Sequence, residues 1–277
     1  MKNNNKKLIR DKIRIIRDSK KRVFFKDLKT YDYFDFKEKL NSINFVLKCI
    51  DQLSNGYIFV LKNSVNSKFL DNAKVKLNNI IKNKKPINPK IKTGVKNGFY
   101  ISNNLSSKGY KTVDKSFYFF SWNKDETGIY KKIIKIYKPL KILNGLGNNE
   151  MTNNKPKDGV VERLHIINYP LNSGHISTHY DPINVSICNF GLYATEHGSD
   201  YDRGGFFTLD KKKRKIFVDK KIKKTDIVLF FPSLIHGVDK VNKFKLKNSE
   251  GRWFFTINLV QSHHSKKRER TIAVKLI

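Results

Sequence analysis

From about residue 160 the chain breaks into short runs rich in Val, Ile, Phe and Tyr. They read VVERLHIINYP, HYDPINVSICNFGLYAT, GGFFTLD, RKIFVD, TDIVLFFPS and GRWFFTINLVQ. Turn residues separate them: Asn172, Gly174, Asp181-Pro182, Gly198, Gly204-Gly205, Asp226, Gly237 and Gly251. Such runs are too short for helices and too numerous for one hairpin, so this half predicts a β-sandwich or barrel. No internal repeat is visible.

The preceding half has another texture. Apolar residues at helical spacing predict helices over 34–55 and 67–85, the second stopped by Pro86 and Pro89. A third helix, over 125–146, is broken near Pro139. GYIFVLKN at 56–63 reads as a strand. Residues 86–112, rich in Gly, Asn and Ser, read as a long functional loop or a poorly ordered segment. In the basic stretch 1–22, Leu8, Ile9, Ile13 and Ile16 fit either a short amphipathic helix or a frayed tail. The expectation is an α+β chain, mostly β with flanking helices. It forms one domain over 1–277: a basic segment 1–22, a mixed α/β part 23–159 and a β core 160–277.

With 39% hydrophobic residues in 277, wholesale disorder is excluded. The two cysteines, Cys49 and Cys188, exclude a disulfide scaffold and a thiolate-only metal site, and both read as small buried hydrophobes. No secretory signal or bilayer-length apolar run is apparent, so a cytoplasmic protein without a membrane partner is expected. Lys and Arg number 57 against 24 Asp and Glu, a formal net charge of +33. Basic residues crowd every segment, most densely at 2–22 and 211–224, with few interleaved aromatics and no nucleic-acid-binding motif. Solvated surface is the simpler reading of this charge, and an anionic partner is the alternative.

His179 and Asp181 stand two apart in THYDP. Positions i and i+2 of a strand share a face, so an imidazole and a carboxylate can converge on one ion. Pro182 favours extended backbone at Asp181. His236, 55 residues after Asp181, follows the apolar strand TDIVLFFPS. Two histidines and one carboxylate on one face of a metal leave positions open, which suits a redox-active Fe(II).

The order HYD (179–181), GGFF (204–207), TDIVLFFPSLIHGV (225–238) and GRWFF (251–255) resembles the Fe(II)/2-oxoglutarate-dependent dioxygenases, over residues 160–262 and more weakly at 55–63. The resemblance implies a double-stranded β-helix, a cupin-like jelly-roll barrel with helical N-terminal support. It implies Fe(II) on His179, Asp181 and His236, with no catalytic side chain beyond these ligands. 2-Oxoglutarate and O2 would be co-substrates, and ascorbate a supporting reductant. Arg252 would clamp the distal carboxylate of 2-oxoglutarate, with a planar fork that Lys lacks. Many members carry Ser or Thr two residues after that Arg. Here Phe254 stands there, and Thr256 is the candidate substitute. Tyr169 matches a tyrosine that touches 2-oxoglutarate, though a core aromatic is an equal reading. Thr225 replaces the usual Gly before Asp226. Because Asp181 is present, the chloride-accepting variant of the family is disfavoured.

The implied activity is hydroxylation, and desaturation or ring closure use the same ligands. A small metabolite is the first expectation for the substrate. A peptide or protein side chain or a nucleic acid is the second, and a non-catalytic cupin-like binder is the alternative of another class. Nothing points to an obligate protein partner. His197 and Arg203 are candidate substrate contacts. The loop 86–112, the insertion 190–203 and KKRER (266–270) are candidate lids. His165 reads as structural or pocket-lining, His175 as a loop residue, and His263-His264 as solvated.

Overall fold

The computed structural model describes residues 3–19, 22–88, 90–103, 110–244, 250–266 and 268–274. Pro89, residues 104–109 of the candidate lid 86–112, and Lys267 of KKRER lie outside them, as do 1–2 and 20–21 of the basic segment.

Two four-stranded antiparallel groups form the heart of the molecule. One runs β5 (Val160–Tyr169), β12 (Arg252–Gln261), β7 (Asn189–Tyr193), β10 (Ile227–Phe230). The other runs β6 (His175–Tyr180), β11 (His236–Asn242), β8 (Arg203–Leu209), β9 (Lys215–Phe217). The groups face each other: the ring of Phe230 on β10 lies 5.5 Å from Phe206 on β8 and 5.1 Å from His236 on β11. This is the strand order of a double-stranded β-helix, the jelly roll expected. The sheet is not closed.

The first half of the chain extends this sheet as well as covering it. β4 (Thr112–Phe120) pairs with both β5 and β6, and β3 (Gly98–Asn103) pairs with β4. β1 (Asp27–Asp32) runs parallel to β2 (Tyr57–Lys62), which adds to β10. Segment 86–112 is therefore not simply a loop, because β3 lies within it. Likewise 190–203 is not simply an insertion, because it begins as the core strand β7.

Period-2 patterning decides what each strand offers. On β5, Leu164 and Ile166 are buried under the helices, while Arg163, His165, Ile167 and Tyr169 line a cavity between the two groups. The covering helices are α1 (Asn3–Ser19), α2 (Tyr33–Lys39), α3 (Ile43–Ser54), α4 (Ser67–Asn83) and α5 (Ile129–Tyr137). Asp32, Ser42 and Asn66 cap α2, α3 and α4 by accepting from backbone N–H groups. The basic α1 is an amphipathic helix: Ile9, Ile13 and Ile16 are buried, while Leu8 and Ile15 face solvent. Below α5, Lys141 and Glu162 form a fully buried pair at 2.7 Å. The Lys141 ammonium also donates to Thr152 Oγ1 and to the carbonyl of Glu150.

Thr225 sits at φ 81°, a conformation that a β-branched side chain adopts only under strain. It is held there because its carbonyl accepts from Ser64 Oγ at 2.6 Å and its N–H donates to Tyr193 at 2.9 Å. Thr225→Gly removes the strain but adds entropy to the unfolded chain. A net stabilisation of about 1 kcal/mol or less is expected, read as a raised urea midpoint at unchanged slope.

Candidate metal centre and cavity

His179 lies opposite His236 in the β6–β11 pair, with ring centroids 4.3 Å apart. Asp181 follows β6 directly, and its N–H donates to Pro232 O at 2.9 Å, which fixes the backbone beside the pair. One ligand atom from each of His179, Asp181 and His236 falls within 4.8 Å of the others. Both imidazoles are oriented the same way. His179 Nδ1 meets Ser177 O at 2.7 Å, and His236 Nδ1 meets Leu234 O at 2.7 Å. A carbonyl only accepts, so each Nδ1 carries the proton and each Nε2 keeps its lone pair for an ion. The carboxylate is held too: Asp181 Oδ1 accepts from Thr271 Oγ1 at 2.7 Å, and Oδ2 from Asn189 Nδ2 at 3.2 Å. Such outer partners aim metal ligands. Burial, and then the neighbouring His179 ring, push the His236 imidazolium pKa down, against the opposing pull of Asp181. A neutral donor is what a cation requires. The donor set therefore fits a divalent metal with open positions.

The triad opens on a cavity of about 330 Å³, within the range of small-ligand sites. Phe206, Phe230 and Val238 form an apolar wall beside the histidines. The Tyr110 ring stacks on His179 at 5.6 Å. At one end Arg252, opposite Tyr169 in the β12–β5 register, is almost fully buried.

Arg252 has a partner that its sequence neighbourhood does not reveal. Its Nε donates to Asp219 Oδ2 at 2.7 Å and its Nη2 to Asp219 Oδ1 at 3.3 Å. Asp219 also accepts from Tyr193 at 2.6 Å, Tyr201 at 2.5 Å and the N–H of Phe206 at 2.9 Å. Burial alone would raise the Asp219 carboxyl, but Arg252 and the two hydroxyls outweigh it and hold it below the usual range. Burial likewise opposes the charge on Arg252, and Asp219 more than restores it.

The structure distributes the other sequence candidates unevenly. Tyr169 and Thr256 line the cavity, and the Thr256 hydroxyl contacts Phe190 O at 2.5 Å and Asn258 Oδ1 at 2.6 Å. Phe254 fills the position of the missing hydroxyl. Gly191 makes room for it, since a Cβ there would stand 1.8 Å from the Phe254 ring. His165 lines the cavity and meets Ser116 Oγ at 2.9 Å. His197 and Arg203 do not line it: His197 packs edge-on against Tyr201 in a turn, and exposed Arg203 lies over Phe244. His263 is not solvated, because its Nδ1 accepts from the Ile91 N–H at 2.8 Å and its ring is half-buried. Sequence reasoning missed Asp219, Tyr110, Arg163 and Thr271. Of these, only Arg163 carried a signal, its strand-face register with His165 and Tyr169.

Solved structures share this architecture. A prolyl hydroxylase of Trichoplax adhaerens, in complex with a hypoxia inducible factor peptide fragment, superposes with TM-score 0.53 at 14% identity, covering 82% of this chain and 90% of that one. A full-length Neurospora crassa protein in complex with α-ketoglutarate gives TM-score 0.50 at 11% identity, covering 85% of each chain. This chain has the fold of the 2-oxoglutarate/Fe(II) oxygenases. No family model matches it, and a search of curated proteins finds no match. In this fold His179 and His236 stand on the first and second strands of one group, β6 and β11, and Arg252 opens the strand β12 of the other. Among the described residues no helix is long and apolar enough to cross a membrane.

Proposed function

We propose that this chain is an Fe(II)- and 2-oxoglutarate-dependent oxygenase that hydroxylates a small molecule, with decarboxylation of 2-oxoglutarate to succinate and CO2. The observation that carries the reading is the convergence of His179, Asp181 and His236, both imidazoles pinned through Nδ1, inside the cavity of this fold. Fe(II) bound there supplies the redox chemistry that couples dioxygen to the oxidation of a C–H bond. The protein's part is positional. His179 and His236 offer neutral Nε2 atoms, and Asp181 offers a carboxylate oriented by Thr271 and Asn189. Arg252 presents a guanidinium to the distal carboxylate of 2-oxoglutarate, with Tyr169 and Thr256 beside it. Asp219 fixes the rotamer of Arg252. Phe206, Phe230 and Val238 keep water from the reacting face.

The test is succinate release by the purified protein with Fe(II), 2-oxoglutarate, O2 and ascorbate. A metabolite mixture is then screened for products about 16 Da heavier or 2 Da lighter. Absence of both bound metal and succinate would overturn the reading in favour of a binding protein.

Arg252→Lys is expected to raise the KM for 2-oxoglutarate roughly tenfold or more. A point charge cannot span both Asp219 oxygens and still present a fork to a second carboxylate. An unchanged KM would assign the co-substrate to another basic residue.

A further inference from the structure

The cavity has a second cationic pole, and nothing in the proposed chemistry uses it. Arg163 on β5 lines the cavity with its guanidinium 4.4 Å over the ring of Tyr118, and its buried Nε meets no acceptor. Arg268 and Arg270 line the same end. The Nε of Arg268 is also buried without an acceptor, although its Nη1 lies 2.5 Å from His263 Nε2. None of the ion pairs among the described residues includes any of the three. Of the acids that line the cavity, Asp181 belongs to the triad, and exposed Glu269 makes no ion pair with any of the three among the described residues. Burial, then Arg270, then Arg163 hold the Arg268 pKa below its usual value. Three cations thus stand together at the edge of the cavity with no ion-paired carboxylate among the described residues, and Arg163 and Arg268, whose Nε atoms are buried without an acceptor, gain most from an anion that joins them.

This pole is distinct from Arg252. Arg163 and Tyr169 stand six residues apart on one strand, roughly 20 Å at about 3.3 Å per residue, and Tyr169 is paired with Arg252. Arg252 is already ion-paired with Asp219, whereas no ion pair among the described residues joins a carboxylate to the outer pole. The C-terminal segment ties the outer pole to the metal site: Thr271, next to Arg270, donates to Asp181, and β13 (Ile272–Ala273) pairs with β6 beside His179.

We infer that Arg163, Arg268 and Arg270 form an anion subsite that holds the carboxylate or phosphate group of a small substrate, with the C–H to be oxidised directed toward the triad. The inference deepens the oxygenase reading and rests on it. Arg forks suit both groups through paired N–H donors. Tyr118 holds the Arg163 fork flat, so less freedom is lost on binding.

The experiment loads the protein with Mn(II) and 2-oxoglutarate in about 0.15 M salt, where long-range surface attraction is screened. Inorganic phosphate is titrated by 31P relaxation and 13C-acetate by 13C relaxation, while Mn(II) binding is read separately by electron paramagnetic resonance. At least one anion is expected to bind close enough to Mn(II) to be relaxed. Arg163→Gln and Arg268→Gln should each weaken it at least tenfold, Arg268→Lys should recover only part of that loss because it keeps the charge but not the fork, and exposed Arg214→Gln should change nothing. Phosphate alone would identify a phosphorylated substrate, and acetate alone a carboxylate. Arg268 is partly exposed, so its variants remain informative if Arg163→Gln does not fold, which circular dichroism checks. Anion affinity equal in wild type and Arg268→Gln overturns the subsite. Absent Mn(II) binding with Arg-dependent phosphate binding in the metal-free protein overturns the oxygenase reading while leaving the subsite intact.

Discussion

Alanine at position 236 is expected to abolish succinate formation and to lower Fe(II) affinity by more than the roughly 10–100-fold that loss of an outer-shell partner costs. His236 is one of three protein donors, and its Nδ1 bond to Leu234 O directs Nε2 at the shared point. The variant should still fold, since the imidazole makes no other side-chain hydrogen bond among the described residues and sits at an irregular point of the β6–β11 register. Isothermal titration with Fe(II) under anaerobic conditions, together with a succinate assay, checks both effects. Retained succinate production would remove His236 from the triad.

Asp219→Ala is expected to cost about 3–5 kcal/mol of stability, the range for stripping one partner from a buried ion pair. Four groups lose their acceptor at once: the Arg252 guanidinium, the Tyr193 and Tyr201 hydroxyls and the Phe206 N–H. Against a typical total of about 5–15 kcal/mol this is a large fraction, readable in urea unfolding at neutral pH. The pH dependence has a definite sign. The folded carboxyl titrates below its unfolded value, so its contribution is present above the unfolded range and fades as pH falls through the folded one. The variant should therefore lie closest to wild type in acid. A loss under about 1 kcal/mol would show that Arg252 finds another counter-charge.

The legible parts of this protein are those whose signal is local. The strand TDIVLFFPS declares itself by an apolar run between turn residues, and His179 and Asp181 by a two-residue spacing on one strand. β1, with sequence DLKTYD, alternates polar and apolar residues too weakly to stand out, and it exists because β2 offers a parallel edge. β4 was hidden at the end of a Gly- and Asn-rich stretch, and its partners β5 and β6 lie dozens of residues on. Asp219 illustrates the same limit within the site. In KKKRKIFVDKKIKK it looks like one acid in a basic surface run, and only the fold brings Arg252 to it across 33 residues of chain. Most of the described lysines and arginines are exposed or half-buried. Lys141 and Arg252 are buried, and Arg163 and Arg268, at the outer end of the cavity, bury their Nε atoms. Of the latter two, Arg163 shows a strand-face register in the sequence, while Arg268 shows nothing that sets it apart from its basic neighbours.

Strand β12 also governs the order in which this molecule can assemble. Arg252 pairs with Tyr169, 83 residues earlier, and Phe254 with Tyr193, 61 residues earlier. Closing loops of that length precedes any reward from the contacts, so refolding should fall on the slow, millisecond-to-second side of single domains. Until β12 inserts, β5 and β7 present bare edges to solvent, and the chain passes through a stage prone to intermolecular pairing. Productive folding then becomes a race between insertion of one strand and collision with a neighbour, and dilution should favour insertion.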